Sequence, residues 1–504
     1  MPTDRISHRR HFTRRELCGT LLATGLLGAA SRSTFAQLVT GASKVKPGPA
    51  LLPSKLEIAS SNAKLVEVFD WARTQAMAYT FDQNDPVGPW YEAVEPGREA
   101  FCIRDTCHQA LGAHMLGLAR CNLNMLRRFA EHISDSKDWC SYWEIGRFNR
   151  PAPVDYKDDA EFWYNLPSNF DLVDCCYRMY VWTGDPAYVE DPGLLNLYDR
   201  TVNDYVERWG LDIDHIMTRP RLLNVRGIFD TKKKFPKNRG IPGYNESDHT
   251  YVLGFDVLAS QRAAYLAYAH IQQVRQNAAL AATFLAKAAA VEKLLRETWW
   301  NQTDQCFYAR LNKDYQLEGR SGRGAGGAQT LDWNAEGISG TGGFPRADDP
   351  NAVVSRLLDL SHARLEYPEI SFTRVGDIIS DIMGVNLQFT SPLLSSVEGN
   401  WVEVTVKTLS GLGNTIGWAE VRNLPIRACE VSVRHEGNRR TTFTNQRGPA
   451  LIWRAIFDGR HDSLLVNGQP VKAAVETDDH GRSLSSVRVT VGAGGTVRVE
   501  TDKG

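Results

Sequence analysis

Asp248–Gln273, DHTYVLGFDVLASQRAAYLAYAHIQQ, and Asn277–Trp300, NAALAATFLAKAAAVEKLLRETWW, read as two long helices joined by a short turn. So short a connection makes the pair antiparallel. Alanines crowd both members: Ala263, Ala264, Ala267 and Ala269, then Ala278, Ala279, Ala281, Ala282, Ala286, Ala288, Ala289 and Ala290. Small side chains let helices approach closely, as helical hairpins stacked side by side require. No sustained heptad accompanies them, so a coiled coil is the weaker expectation.

Helical spacing continues on both sides of this hairpin. It predicts helices over Asn62–Tyr79, Thr106–Leu118, Asn122–Ile133, Asn169–Thr183 closed by Gly184, Leu194–Trp209, Val353–Ala363 and Phe372–Met383. The stretch after Trp300, NQTDQCFYARLNKDYQLEG, predicts a short hairpin excursion. From Trp401 the pattern turns to alternation, in segments such as WVEVTVKTL, CEVSVRHEG, LIWRAIF and SVRVTVG separated by Gly and Asn turns, which predicts a small antiparallel sandwich. The domain reading is residues 1–36 a targeting segment, 37–60 a leader, 61–398 a helical domain and 399–504 a β-sandwich domain.

The N-terminus carries Thr13-Arg14-Arg15-Glu16-Leu17, an apolar run Cys18–Ala30 and Thr34-Phe35-Ala36 before Gln37. This pattern predicts bacterial export by the twin-arginine route, to the periplasm or beyond, with cleavage after Ala36. The run falls short of the roughly 20 apolar residues a membrane span needs, so no stable membrane insertion is expected after cleavage. Removing 1–36 takes away six Arg and two acids, moving the formal charge from −1 to −5. A mildly acidic chain whose one basic run is Lys232-Lys233-Lys234 excludes nucleic acid as a partner class. Cys102, Cys107, Cys121, Cys140, Cys175, Cys176, Cys306 and Cys429 lack the paired spacing of structural zinc sites and read as small buried hydrophobes. No metal and no cofactor are expected.

Five clusters mix carboxylates, amides and aromatics: FCIRDTCHQ, FWYNLPSNFDL, GYNESDHTY, LDWNAEG and EYPEISFTRVG. Four of them run into predicted helices. If alternate helices of a ring run in one direction, their N-termini share a face that favours carboxylates and hydroxyl-rich ligands. Asp105, Asn169 and Asp248 each also read as helix N-caps. A cap needs one side chain, however, and these clusters bring Arg104, His108, Trp143, Glu144, Trp163, Tyr164, Asn165, Asp171, Asn245, His249, Asp332, Trp333 and Arg374 with them. Buried polar groups in that number need one another or a polar ligand. The chemistry that uses paired acids among aromatics is glycoside hydrolysis, where one carboxyl protonates the leaving oxygen and a second activates water or attacks the anomeric carbon.

The chain resembles the six-hairpin glycosidase superfamily. The resemblance is carried by KLLRETWWNQTDQCFYARL, by GIPGYNESDH opening the long hairpin, and by FWYNLPSNFDLVDCCYRMYVWTGD, and it covers roughly residues 60–504. It implies a mainly α fold, an (α/α)6 toroid of helical hairpins with an attached β-sandwich, and a carbohydrate substrate. Arg104-Asp105 resembles the acidic, Arg-bearing loop of rhamnosidase-like members, but the Trp-Gly-Asp continuation is absent, so the resemblance does not extend to rhamnose specificity. It further implies inversion, with two carboxyls about 6.5 to 9.5 Å apart. Glu246 is the expected general acid and Glu336 the expected base, with Asp105 and Glu369 as substitutes. Trp143, Trp163, Tyr164 and Trp333 are expected to stack on sugar, and Asn165, Asn169 and Arg374 to bind hydroxyls; Glu144, Asp171, Asn245, Asp248, His249, Asp332 and Arg104 complete the expected binding set. Two other readings stand beside it. A polysaccharide lyase would use His249, Tyr251 and Asn245, and a glycan-binding protein would keep the architecture without catalysis.

Overall fold

A computed structural model describes residues 55–81, 84–94, 96–220, 239–245, 251–320, 349–360, 367–390, 403–478 and 481–501. Its helices of nine residues or more are α1 (Ala63–Ala78), α2 (Ile103–Met115), α3 (Ala119–Glu131), α4 (Pro167–Thr183), α5 (Pro192–Arg200), α6 (Phe255–Val274), α7 (Ala278–Leu294), α8 (Pro350–Leu358) and α9 (Pro368–Asp377). Asn62 caps α1 through the Lys64 amide, and Gly184 ends α4 at φ 68°, a left-handed position that glycine takes without strain.

Burial sorts these helices into two kinds. Every residue of α2 and of α9 is buried, and α4 and α6 are buried over most of their surface. By contrast α7 buries one stripe, Ala281, Phe284, Ala288 and Val291, at the spacing of a helix with one face on a core. Most of its alanines therefore face solvent, and the close helix contact expected of the alanine-rich pair is made by the alanines of α6. The buried helices stand in a row, with α6 against α4, α4 against α2, α2 against α9, and α9 against α1. Closest of all is α2 on α9: a Cβ on Gly112 would lie 1.9 Å from the Phe372 carbonyl oxygen.

The β region is made of β1 (Glu57–Ser60), β2 (Val385–Thr390), β3 (Glu403–Leu409), β4 (Trp418–Ile426), β5 (Cys429–Glu436), β6 (Arg440–Arg447), β7 (Leu451–Asp458), β8 (Ser463–Val466), β9 (Gln469–Lys472), β10 (Ala474–Thr477), β11 (Ser483–Val491) and β12 (Thr496–Thr501). One sheet runs β1-β4-β5-β6-β12-β8-β9 and the other β2-β3-β7-β11-β10. Alternate residues of β5 are buried, and Phe443 stacks on Trp453 of the other sheet with ring centres 5.2 Å apart, so the two inner faces share a core.

Three features depart from the sequence expectation. The pairing of β3 with β7 is parallel within otherwise antiparallel sheets. β2 joins the sheet ahead of Trp401, and β1, inside the stretch read as a leader, pairs antiparallel with β4 from Glu57 opposite Arg422 to Ser60 opposite Ala419.

Polar ties join the β region to the helices. His435 lies with its ring nitrogens 2.8 Å from Thr441 Oγ1 and 2.9 Å from the Met383 carbonyl, His114 reaches the Pro425 carbonyl at 3.2 Å, and the Arg427 amide donates to Trp182 O at 2.6 Å. Among the described residues no helix is long and apolar enough to cross a membrane. All eight cysteines of residues 102–429 are buried free thiols.

Candidate active site at a shared helix rim

The N-terminal turns of α2, α4, α6 and α9 meet at one rim: hydrogen bonds join α2 to α9 and, through Tyr244, α4 to α6, and a contact of Arg104 with the Tyr244 ring links the two pairs. Asp105 is in the first turn of α2, Asn169 and Asp171 near the start of α4, Asp256 in the first turn of α6, and Glu369 in the first turn of α9. Each helix thus begins a little before the acids that were expected to precede it, except α6. That helix starts at Phe255, later than Asp248, and its first-turn acid is Asp256. Gly254 allows this start, because a Cβ there would lie 2.2 Å from Asp256 Oδ1.

Asp105 is 2% exposed and has a donor on each oxygen: Arg104 Nε at 3.2 Å on Oδ1 and the Tyr367 hydroxyl at 3.1 Å on Oδ2. One turn along the same face of α2, His108 Nδ1 lies 2.7 Å from Glu369 Oε1. Asp171 accepts the Tyr244 hydroxyl, and the Tyr244 amide donates to Asp256 Oδ2 at 2.6 Å. The Arg104 guanidinium lies 5.4 Å from the Tyr244 ring centre and 5.6 Å from that of Trp143, so one cation is held between two aromatic rings.

The segment that brings Tyr244 here is Arg239–Asn245. Arg239 pairs with Asp138 at 2.7 Å, both fully buried; Ile241 O accepts from Leu166 N, Pro242 O from Gly254 N, and Gly243 O from Asn165 Nδ2. Ile241, Pro242, Gly243 and Tyr244 of this strap are thereby tied to α4, α6 or the residues just before them.

Beside Arg104, the strand Glu144–Gly146 pairs with Ala100–Cys102 and carries Glu144, one member of a second acidic pair. Glu144 and Asp155 are both buried and face Arg98, at 2.9 and 3.6 Å. Burial, and then the neighbouring charge of Asp155, push the Glu144 carboxyl well above the usual carboxylate range against the pull of Arg98. Burial also raises Asp256 to about 6, and burial with the adjoining Asp171 raises the Tyr244 phenol well above its ordinary value. Tyr244 is therefore the hydrogen donor to Asp171.

The structure gathers Arg104, Asp105, Trp143, Glu144, Asp171 and Glu369 from the expected set into this rim, and places others elsewhere. Trp163 and Tyr164 are buried and used internally: Trp163 Nε1 donates to Asn165 Oδ1 at 2.8 Å, and the Tyr164 hydroxyl to Asn169 Oδ1 at 2.5 Å. Asn169 in turn donates to the Trp139 carbonyl and Thr201. These four support the floor and offer no face to a sugar, because none has more than 2% of its surface exposed. Arg374 donates to the Arg356 and Leu357 carbonyls, where it satisfies the C-terminal end of α8. Neither Asp105 nor Asn169 makes a capping bond, since α2 and α4 begin at Cys102 and Leu166 without one. Asn245 is exposed beside Tyr244. Glu246, Asp248, His249, Asp332, Trp333 and Glu336 lie outside the described residues.

One donor atom each from Asp105, His108 and Glu369 lie within 4.8 Å of one another, a set of one imidazole and two carboxylates that a divalent cation accepts. Here the Arg104 cation already occupies one side of Asp105, so the cluster is organised by hydrogen bonds and opposes a second positive charge on that side. The same spacing bears on catalysis. One carboxyl oxygen of Asp105 and one of Glu369 lie within 4.8 Å of each other, nearer than the roughly 6.5 to 9.5 Å that separates the two carboxyl groups of an inverting pair.

Sequence reasoning missed Tyr244, Tyr367 and Asp256. Tyr244 and Tyr367 stood inside the clusters GYNESDHTY and EYPEISFTRVG; the signal for Asp256 was Gly254 followed by an acid in a first helical turn.

No family model matches the chain, and no curated protein matches it. The chain is similar to solved rhamnosidases and other sugar-processing enzymes. An α-L-rhamnosidase from Dictyoglumus thermophilum has 10% identity and a TM-score of 0.49 over 89% of this chain and 51% of that one. A GH78 family rhamnosidase of Bacillus sp. GL1 has 11% identity and a TM-score of 0.45, over 78% and 40%. An α-L-rhamnosidase from Aspergillus terreus has 12% identity and a TM-score of 0.45, over 88% and 51%. The chain spans about half the length of the rhamnosidases it matches.

Proposed function

We propose that this chain is an exported glycoside hydrolase acting at the helix rim, with its helices completing an (α/α)6 toroid. The observation that carries the reading is the convergence of Asp105, Asp171, Asp256 and Glu369 from four helices, held by Arg104, Tyr367, Tyr244 and His108. Burying so many acids in one place costs stability, because each must be desolvated and then paired. A binding or catalytic role is what repays such a cluster. Anionic groups beneath a sugar stabilise the positive charge that develops on the anomeric carbon during cleavage.

In this reading Glu246 is the general acid and Glu336 the base, and the mechanism is inverting. Support for Glu246 is the strap: Tyr244, two residues earlier, has both its backbone and its hydroxyl bonded at the rim. Asp105, Asp171 and Glu369 supply the fixed field, since their oxygens are already held by neighbouring donors. Export by the twin-arginine route rests on the Arg14-Arg15 motif.

A second reading, β-elimination from a uronate-containing glycan, is favoured by one observation. The Arg104 cation stands at the rim between the Tyr244 and Trp143 rings, where a guanidinium suits the carboxylate of a uronate. The two readings separate in one assay. Protein spanning residues 37–504 is incubated with 4-nitrophenyl glycosides and with plant and bacterial polysaccharides. New reducing ends without ultraviolet absorbance from an unsaturated uronide support hydrolysis; the absorbance supports elimination; neither product on any member counts against both.

A further inference from the structure

Aromatic side chains that grip a sugar must show part of a ring to solvent. Trp143, Trp163 and Tyr164 do not, being 6%, 2% and 0% exposed. Tyr244 and Tyr367 are instead partly exposed residues, and they flank the Arg104–Asp105 pair, Tyr244 with its ring on Arg104 and Tyr367 with its hydroxyl on Asp105. Each is fixed at its far end by its own hydroxyl, Tyr244 on the buried Asp171 and Tyr367 on the buried Asp105. Tyr244 is fixed at its backbone as well, through Asp256, and its ring rests against the Arg104 guanidinium. A phenol tethered at its oxygen loses the rotational freedom that would otherwise be lost on binding.

We propose that Tyr244 and Tyr367 are the aromatic walls of the sugar subsite, and that Asp256 is the positioning residue that sets Tyr244. This rests on the reading that the rim handles a glycan. The ligand class it selects is a pyranose with one apolar C–H face, held edge-on to the Arg104–Asp105 floor. Stacking on a tethered ring is uniform binding, present in ground and transition states alike, so its loss raises KM and leaves kcat nearly unchanged.

The test uses residues 37–504 as wild type and as Tyr244→Ala, Tyr244→Phe and Asp256→Asn, all checked for unchanged thermal unfolding of the core. With the 4-nitrophenyl glycoside turned over best by the wild type, Tyr244→Ala raises KM about tenfold or more above that of Tyr244→Phe, which loses the same donor to Asp171 but keeps the ring, a difference equivalent to roughly 1.4 kcal/mol, and the two variants have kcat values within about threefold of each other. Tyr244→Phe, which keeps the ring, stays closer to the wild type than Tyr244→Ala. Asp256→Asn raises KM and removes any change of KM with pH near 6 that the wild type shows. Calorimetric titration with the free monosaccharides of the same panel gives a readout independent of turnover. Binding lost in Tyr244→Ala without wild-type turnover defeats the hydrolase reading and keeps the subsite. A KM or binding constant unmoved in a folded Tyr244→Ala protein overturns the subsite and leaves the hydrolase reading standing. If Tyr244→Ala fails to fold, Tyr367→Leu replaces it with the same expectation, and neither turnover nor sugar binding by the wild type overturns both.

Discussion

Asp256 shows how one side chain joins an element start to the site. Its oxygens accept the Tyr244 and Val257 amides at 2.6 and 3.0 Å, yet burial outweighs these bonds and raises it from 3.8 to about 6. The neutral form is thus favoured on folding: the stability linked to this group is fully present below 3.8 and is lost as pH rises through about 6. Relative to Asp256→Asn, which does not titrate, the wild type gains up to about 3 kcal/mol as pH falls from neutrality toward 4. Chemical denaturation of both proteins across that range checks it. At the same scale, Asp105→Asn exchanges an acceptor of the Arg104 N–H for an amide that matches the guanidinium poorly. It leaves Arg104 under-neutralised in a buried place, and turnover on the best glycoside falls by about a hundredfold or more. Asp105, Asp171 and Glu369 were visible in the sequence because they stand in clusters of residues costly to bury, whereas Asp256 stands outside those clusters and was not. Which aromatics face a ligand was not visible, because composition is blind to whether a Trp–Asn or Tyr–Asn pair has turned inward on itself, as Trp163–Asn165 and Tyr164–Asn169 have.

Among elements, α2 and α9 carry the strongest constraint. The Phe372 carbonyl occupies the space a side chain on Gly112 would take, and Gly376 faces the same contact from α9. Gly112→Ala forces these helices apart, and with them His108 from Glu369 and Tyr367 from Asp105. The expected cost is about 3 kcal/mol or more, since backbone cannot move aside as a flexible side chain does; a melting temperature within a degree or two of the wild type would contradict it. Helical spacing was legible for each of the helices α1–α9, the wholly buried α2 and α9 included, and most plainly in α7 with its stripe of Ala281, Phe284, Ala288 and Val291; the one-turn helix Ala187–Glu190 was too short to show it. Starts were less legible. α6 begins at Phe255 because the preceding residues include Leu253–Gly254, a short strand paired with Arg310–Leu311, and pairing across that distance in sequence leaves no local mark. β1 is the same case: four residues gain their structure from Trp418–Ile426, far along the chain.

For the whole molecule, two buried histidines mark where the β region meets the helices. Burial lowers His114 and His435 to about 4, against the hydrogen bonds that they donate to the Pro425 and Met383 carbonyls, which pull upward. A histidine kept neutral by folding contributes stability present above its ordinary value of 6.5 and lost as pH falls through about 4. His435→Asn therefore flattens the acid side of the stability curve by about 3 kcal/mol, opposite in sign to Asp256→Asn. Eight buried free thiols add a second expectation at this scale. A thiol reagent labels none of them in the folded protein and all of them after unfolding, and a reductant leaves the melting temperature unchanged.

That the molecule has a helical part and a β part was legible, because the switch from helical to alternating spacing is abrupt; the parallel β3–β7 pair was not, because strand direction depends on chain routing rather than on side chains. The central claim is that distant acids and two tethered tyrosines form one sugar site at the helix rim. Its most direct measurement is a crystal structure of Glu246→Gln protein soaked with the glycoside that the wild type cleaves. The account predicts a sugar ring in contact with Tyr244 and Tyr367, above Arg104 and Asp105. A sugar seated instead on the β region, with the rim unchanged and empty, would contradict it.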